Sequence, residues 1–450
     1  MIDLTDPGLL PVLALLGAAV FIVFPIVVLS SNEAKPIADL QSKLGLDSVW
    51  PPVLFIGAAL WAVVFGLLVV GLLSVIWEII QGVYWQSTDG DMSNSGRFAL
   101  VRLTAITATT GAVIAFPLTL IKVKLTRDAN ETSDETLFNE KINTATEDLH
   151  AMRQRWDGEQ NIWEDDIVRR NAAIDRLEGL VVERPDTAAR VSRLLSVYVR
   201  VLSRDMPARN PPKDVDIIEL HRWELTLRMP RSDMENAVQA LGRMKRISNV
   251  KPGSVTIDLR NANLQAFDLK NLDLSHAQMQ SAKLQGANLA GSVLTNINLR
   301  SAGLQVTGLE NAMMQGANLR LAMADGARLE NANLKDANLS SISIQHASLA
   351  NAQLRRANLS AAVVKNAEFR KADLSEANLS FVDFSSARIE DEQIVSGFGV
   401  SRTTLKDGRG TDSPGWPSHW PKTDPSFFHT DKGWKRWLAD PHNYTPPPAP

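Results

Sequence analysis

Three stretches in the first third of the chain carry no charged residue: Leu9 to Ser30, Val53 to Trp77 and Leu103 to Ile121, of about 22, 25 and 19 residues. A bilayer core needs roughly 20 apolar residues in a helix, so the pattern predicts three transmembrane helices over 9–30, 53–77 and 103–121. The second would be about 37 Å long and should tilt or project. Trp50, Trp77, Tyr84 and Trp85 fall where an interfacial aromatic belt would sit. Asp3 and Asp6, not a basic stretch, precede the first run, which argues for an uncleaved helix over a signal peptide.

Past Lys124 the chain turns polar, and apolar positions recur at helical spacing. Thr132 and Glu135 match a capping box. Phe138, Ile142, Ala145, Leu149, Met152 and Trp156 then follow at intervals of four and three, the stripe of one helix. A second helix is expected from about Trp163, burying Ile167, Ile174, Leu177 and Val181 and ending before Pro185. A third is expected from about Thr187 to Asp205, with Val191, Leu194, Leu195, Tyr198, Val201 and Leu202 inward. The pair resembles one unit of a HEAT-type α-solenoid. One such unit cannot bury both of its faces, so it should pack against another element. Ser232 and Glu235 form a second capping box before a short helix ending near Met244.

From Ile257 to Ile389 the period becomes five. Taking Leu259 as a centre, every fifth residue gives about 27 positions, of which about 19 are Leu; two residues before each, about 19 are Ala. Between them stands Asn or Asp, as at Asn263, Asp268, Asn288, Asn338 and Asp373, and the two residues after Leu are polar and variable. Five fits neither a helix nor a flat strand. Alternation places Leu and the Ala two before it on one side, and a turn must then restore that side for the next unit. Extended piece and turn, repeated, make a coil with Leu at its centre and Ala where room is short. Each turn of the coil leaves unpaired backbone edges, so the coil should stack on itself.

Units such as ANLSS, ADLSE and ANLAG resemble the pentapeptide-repeat family, and the repeat covers about 30% of the chain. The resemblance implies a right-handed quadrilateral β-helix with four units per coil, hence nearly seven coils and roughly 32 Å of height at ~4.8 Å per layer. It also implies that residues twenty apart stack. Asn298, Asn318, Asn338, Asn358 and Asn378 would form one amide column and Asn311, Asn331 and Asn351 another, bonded along the axis. The order of spans, helices, repeat and aromatic tail is similar to bacterial membrane-anchored pentapeptide-repeat proteins.

The fold class is thus multidomain: a membrane anchor (1–124), a small α-helical, HEAT-like domain (125–250), a pentapeptide-repeat β-helix (251–395) and a Pro/Trp-rich tail (396–450). Lys35, Lys43, Lys122, Lys124 and Arg127 outnumber Arg97 and Arg102 on the other side of the spans. This bias places the N-terminus outside and the C-terminal domains in the cytoplasm of a multi-pass inner-membrane protein. The gyrase-protecting branch of the family mimics DNA through an acidic surface. Here about 13 basic and 13 acidic residues cancel between Ile257 and Asp391, and no nucleic-acid partner is expected.

The chain has no Cys, and its seven His are scattered. No nucleophile–base set, phosphate loop or metal spacing appears. Glu219, His221 and Glu224 are too few for zinc. The reading is therefore non-enzymatic, with no cofactor and no small-molecule substrate: a scaffold that presents the β-helix to a protein partner beside the lipid bilayer. The alternative is an accessory or regulatory subunit of a membrane enzyme or transport complex. The candidate interaction surface is the basic group Arg355, Arg356, Lys365, Arg370 and Lys371. Trp416, Trp420, Trp434 and Trp437 should cap the last coil or dock a partner, since open solenoid ends need covers.

Overall fold

The computed structural model describes residues 46, 50–80, 94–212, 216–251, 253–422 and 427–446. The predicted span over 9–30, with Lys35, Lys43, Tyr84 and Trp85, lies outside the described residues. The chain forms two compact units, Met1–Glu140 and Lys141–Pro450.

Helix α1 is Pro51–Ile80, in the first unit, and helix α2 is Asn94–Asp148, whose residues from Lys141 on belong to the second. Among the described residues these two are long and apolar enough, by length and composition, to cross a membrane. Their surfaces are apolar and open, with Leu60, Leu67, Val70, Phe116 and Leu118 exposed. Pro117 lies inside α2 and has no N–H, so the carbonyl of Val113, four residues earlier, loses its helical donor. Trp61 of α1 supplies one, Nε1 to Val113 O at 2.9 Å. Thr132 and Glu135 do not start a helix, because α2 is already formed there; the Thr132 hydroxyl donates back to Asp128 O instead.

The stripe ending at Trp156 is not one helix: α2 stops at Asp148, and Met152–Trp156 (β1) pairs antiparallel with Asn161–Asp165 (β2). Asp157 and Gly158 close the hairpin. Asp157 Oδ1 accepts from the N–H groups of Glu159 and Gln160, and Gly158 takes φ +113°. Trp163 is accordingly in a strand, and helix α3 (Ile167–Glu183) begins later, capped by Asp166.

Helix α4 (Ala188–Asp205) and helix α6 (Ser232–Met244) pack with α3, and the eight-residue α5 (Ile217–Glu224) lies between α4 and α6 in sequence. Ser232 and Glu235 form no capping box. Arg231 holds the N-cap position, and Glu235 Oε1 accepts from Asp268 N in the coil at 2.6 Å. Burial around that bond pushes the Glu235 carboxyl above its ordinary range. On α4, Ser192, Ser196 and Val199 are buried, whereas Val201 is exposed.

The rotation of α4 has a cause in the coil. Isolated parallel bridges join residues twenty apart, from Asp258↔Gln278 to Asn378↔Phe398, so four five-residue units make each turn. The Leu and Ala positions fill the interior; Leu264, Ala332, Leu339 and Leu359 are fully buried. In each unit the N–H before Leu bonds down to the previous coil, as in Lys283 N to Ala262 O. The first coil has no coil below it. Ser196 and Ser203 of α4 accept from Asp258 N and Asn263 N at 3.3 and 3.0 Å, and Glu235 of α6 accepts from Asp268 N. The hydroxyls of α4 face the coil because these edge donors must be satisfied.

The second residue after each Leu turns the corner. From Asn261 to Phe381 every fifth residue has φ between about +53° and +68°, the left-handed region. Asn and Gly hold many of these sites, as sterics favour. The stacking continues past residue 395 to Asp383↔Thr404, where one extra residue enters the register, and a short helix α7 (Asp391–Val395) replaces one edge.

Candidate interaction surface

The basic residues after Leu354 do not form one patch. With twenty residues per coil, Arg355 and Lys365 sit on diagonally opposite corners, and Arg370 and Lys371 on the corner between. Arg355 pairs with Glu376 at 2.6 Å, Arg356 with Asp336 at 3.1 Å and Arg370 with Glu368 at 3.2 Å. The Glu376 carboxylate holds the Arg355 guanidinium above its usual range. Spacing of five, which clusters residues in sequence, spreads them over separate corners in space.

The amide column is present, but its bonds run differently from the expected axial ladder. Asn298, Asn318, Asn338 and Asn358 each turn Oδ1 onto the N–H two residues on, at Arg300, Arg320, Ser340 and Ser360, over 3.0–3.3 Å. A backbone donor requires the amide oxygen, so the NH2 group is left facing outward. Asn298 Nδ2 reaches Gln278 Oε1 at 3.4 Å; those of Asn318, Asn338 and Asn358 have no partner among the described residues. Arg300 and Arg320, exposed beside the first two, have no acidic partner among the described residues. This strip is therefore a row of donors, spaced about 4.8 Å apart by the stacking. Asn311, Asn331 and Asn351 are instead corner residues at φ +58°.

A different corner is occupied. Gly286, Val306 and Gly326 stack there, and α5 lies against them. A Cβ on Gly326 would come within 2.8 Å of Ile217 Cδ1, and one on Gly286 within 3.0 Å of Leu227. Below them Gln265 is buried, its amide bonded to Arg209 N, Arg209 O and Gln285 Oε1. Sequence patterning alone missed this groove, although its glycines were the available signal. His221 and Glu224 lie on α5, where His221 Nδ1 meets Ile217 O and Glu224 lies near Arg328. No group of three or more His, Asp or Glu able to hold a metal occurs among the described residues.

At the far end, the tail meets the last coil. Helix α8 is Phe427–Ala439. Trp420, Trp434 and Trp437 are buried, while Trp416 is half-buried and packs edge-on against Trp420. Trp434 Nε1 donates to Glu376 O at 2.9 Å. Trp420 Nε1 and His419 Nε2 both meet Gly397 O, at 2.8 and 2.9 Å. One coil lower the equivalent carbonyl, Ala377 O, accepts from Phe398 N. Gly399 lacks a side chain because the Trp420 ring occupies that space, 2.4 Å from where its Cβ would be. Burial pushes the His419 imidazole below its ordinary pKa, and the ring stacks on Trp437 at 5.2 Å.

Residues 257–304, 309–340 and 352–391 match the family model of pentapeptide repeats, in eight copies. No curated protein matches the chain. Among solved structures, a trypsin-treated form of QnrB1, a plasmid-mediated fluoroquinolone resistance protein, is 16% identical. The match covers 41% of this chain and 85% of that one, with a TM-score of 0.27. HetL, from the cyanobacterium Nostoc sp. strain PCC 7120, is 21% identical over 34% of this chain and 92% of its own, with a TM-score of 0.14. Rfr23, from the cyanobacterium Cyanothece 51142, is 22% identical over 32% and 89%, with a TM-score of 0.13. Pentapeptide repeats imply a right-handed quadrilateral β-helix, and the coil of this chain is a domain of the pentapeptide-repeat family.

Proposed function

We propose that the protein is a membrane-anchored, non-catalytic scaffold whose β-helix binds a protein partner along its amide strip. The observation that carries this reading is the outward NH2 row of Asn318, Asn338 and Asn358 beside Arg300 and Arg320. Such a row offers donors and almost no acceptors, so it fits a partner rich in carbonyls or carboxylates. The capped ends and the occupied glycine corner leave the strip as an open, regular face. The apolar surfaces of α1 and α2 support a place in the bilayer. The basic residues Lys122, Lys124 and Arg127 support a cytoplasmic position for the chain beyond α2's apolar half. Single cysteines introduced into this cysteine-free chain report that orientation by their labelling from either side of the membrane.

Partner binding is tested by photo-cross-linking in intact membranes. A photoreactive residue at Ser340, at the edge of the strip, should yield a discrete adduct with a second protein, and one at Arg388, on another face, should not. Equal adducts from both positions, or none from Ser340, overturn the reading.

A further inference from the structure

A cavity of about 370 Å³ lies in the helical part of the second unit, and neither the fold nor the proposed scaffold role uses it. Leu149, Leu194, Val197 and Val201 form apolar walls; Arg170, Tyr198 and Arg231 bring polar groups to the same space. The volume and this mixture match sites that hold small molecules.

The polar groups belong to a buried network. Asp233 is fully buried and accepts from Tyr198 OH at 2.6 Å and from Arg231 Nε at 2.8 Å. Arg231 Nη1 pairs with Asp165, and Arg170 Nη2 pairs with the other oxygen of Asp165. Arg170 Nε donates to Ala151 O at 3.1 Å. Arg231 Nη2 pairs with the second oxygen of Asp233, so all three nitrogens of Arg231 are engaged. Arg170 Nη1 is the guanidinium nitrogen of the network without a hydrogen-bond partner among the described residues, on a side chain only 6% exposed. Arg170 Nη1 itself is open to the cavity, so a bound molecule that brings an acceptor can meet it there.

Charge decides what kind of acceptor. Arg170 and Arg231 are balanced by Asp165 and Asp233, and Asp205 on the lining adds a further carboxylate. A free anion therefore gains no net attraction, whereas an uncharged carbonyl needs none. We propose that this cavity binds a small, uncharged, apolar molecule carrying one carbonyl-type acceptor, which Arg170 Nη1 recognises. The proposal does not depend on the scaffold reading.

Benzophenone, an uncharged apolar ketone that labels its surroundings under light, tests it on the full chain in detergent. The expected adduct falls within residues 197–206. Val201→Trp and, separately, Val197→Trp fill the cavity from partly exposed positions, which keeps the network intact. Each should lower that adduct at least fivefold without changing the melting temperature. Fluorenone, a second neutral ketone, should compete, and benzoate should not. Labelling spread evenly over the chain, an adduct unchanged in both folded variants, or equal competition by benzoate overturns the proposal.

Discussion

Trp61 Nε1 donates to Val113 O, the carbonyl that Pro117 deprives of its helical donor. In the bilayer position proposed for α1 and α2 no water replaces that bond, so a neighbouring helix must. Trp61→Phe should therefore weaken α1–α2 packing by about 0.6 kcal/mol, the average for interhelical bonds in membranes, and by no more than about 1.7 kcal/mol. In a Pro117→Ala background α2 regains its own N–H, and Trp61→Phe should then cost much less. Thermal unfolding of the four variants in detergent gives the coupling; additive effects would contradict this account.

At the N-terminal end of the coil, Ser203→Ala removes the acceptor of Asn263 N. An orphaned buried donor costs about 1–3 kcal/mol. Hydrogen exchange at Asn263 should accelerate, while amides two coils away keep their protection. Unchanged exchange at Asn263 would show that another group or water serves the edge.

The glycine groove makes a separable prediction. Gly326→Ala places a methyl group 2.8 Å from Ile217 Cδ1. The backbone itself tolerates alanine at this kind of corner, as Ala266 and Ala361 show at φ 60° and 56°. The cost should then fall on α5: faster exchange over Ile217–Glu224 with the coil amides unaffected. Uniform destabilisation of the coil would mean that backbone strain, not the lost groove, dominates.

How legible this architecture is in the sequence depends on which interaction sets each feature. The coil is legible because a five-residue period admits few shapes, and the interior side chains report it directly. The hairpin is not, because Met152 and Trp156 continue an i, i+4 stripe by coincidence, and only Asp157 and Gly158 signal the turn. The groove is hidden because Gly286 and Gly326 occupy the same repeat position as Gly291 and Gly316, which serve corners without α5. The amide column follows from the period, but its bond direction does not. There a local turn bond two residues away outcompetes the axial partner twenty residues away.

The C-terminal cap should respond to acid. His419 is half-buried, and the loss of solvent holds its folded pKa below the ordinary value near 6.5. Its neutral form is favoured by folding, so the contribution is complete above about pH 6.5 and declines as pH falls toward the depressed folded value. Because the ring stacks on Trp437, tryptophan emission should follow the same transition. His419→Gln keeps a donor for Gly397 O and should flatten the pH response between about pH 7 and 5. A response that survives the substitution would assign it to another group.

The central claim is that the outward NH2 row binds a protein partner. Asn318→Asp with Asn358→Asp keeps each Oδ1 on its own turn N–H but replaces the outward donor with an acceptor. The two sites lie two coils apart, so the added charges barely repel one another. Affinity capture of the full chain from its own membranes, wild type beside this double variant, is the direct measurement. The account predicts a stoichiometric protein partner with the wild type and at least a tenfold lower yield with the variant, at equal melting temperature. Equal recovery by both, or no stoichiometric partner with the wild type, would contradict it.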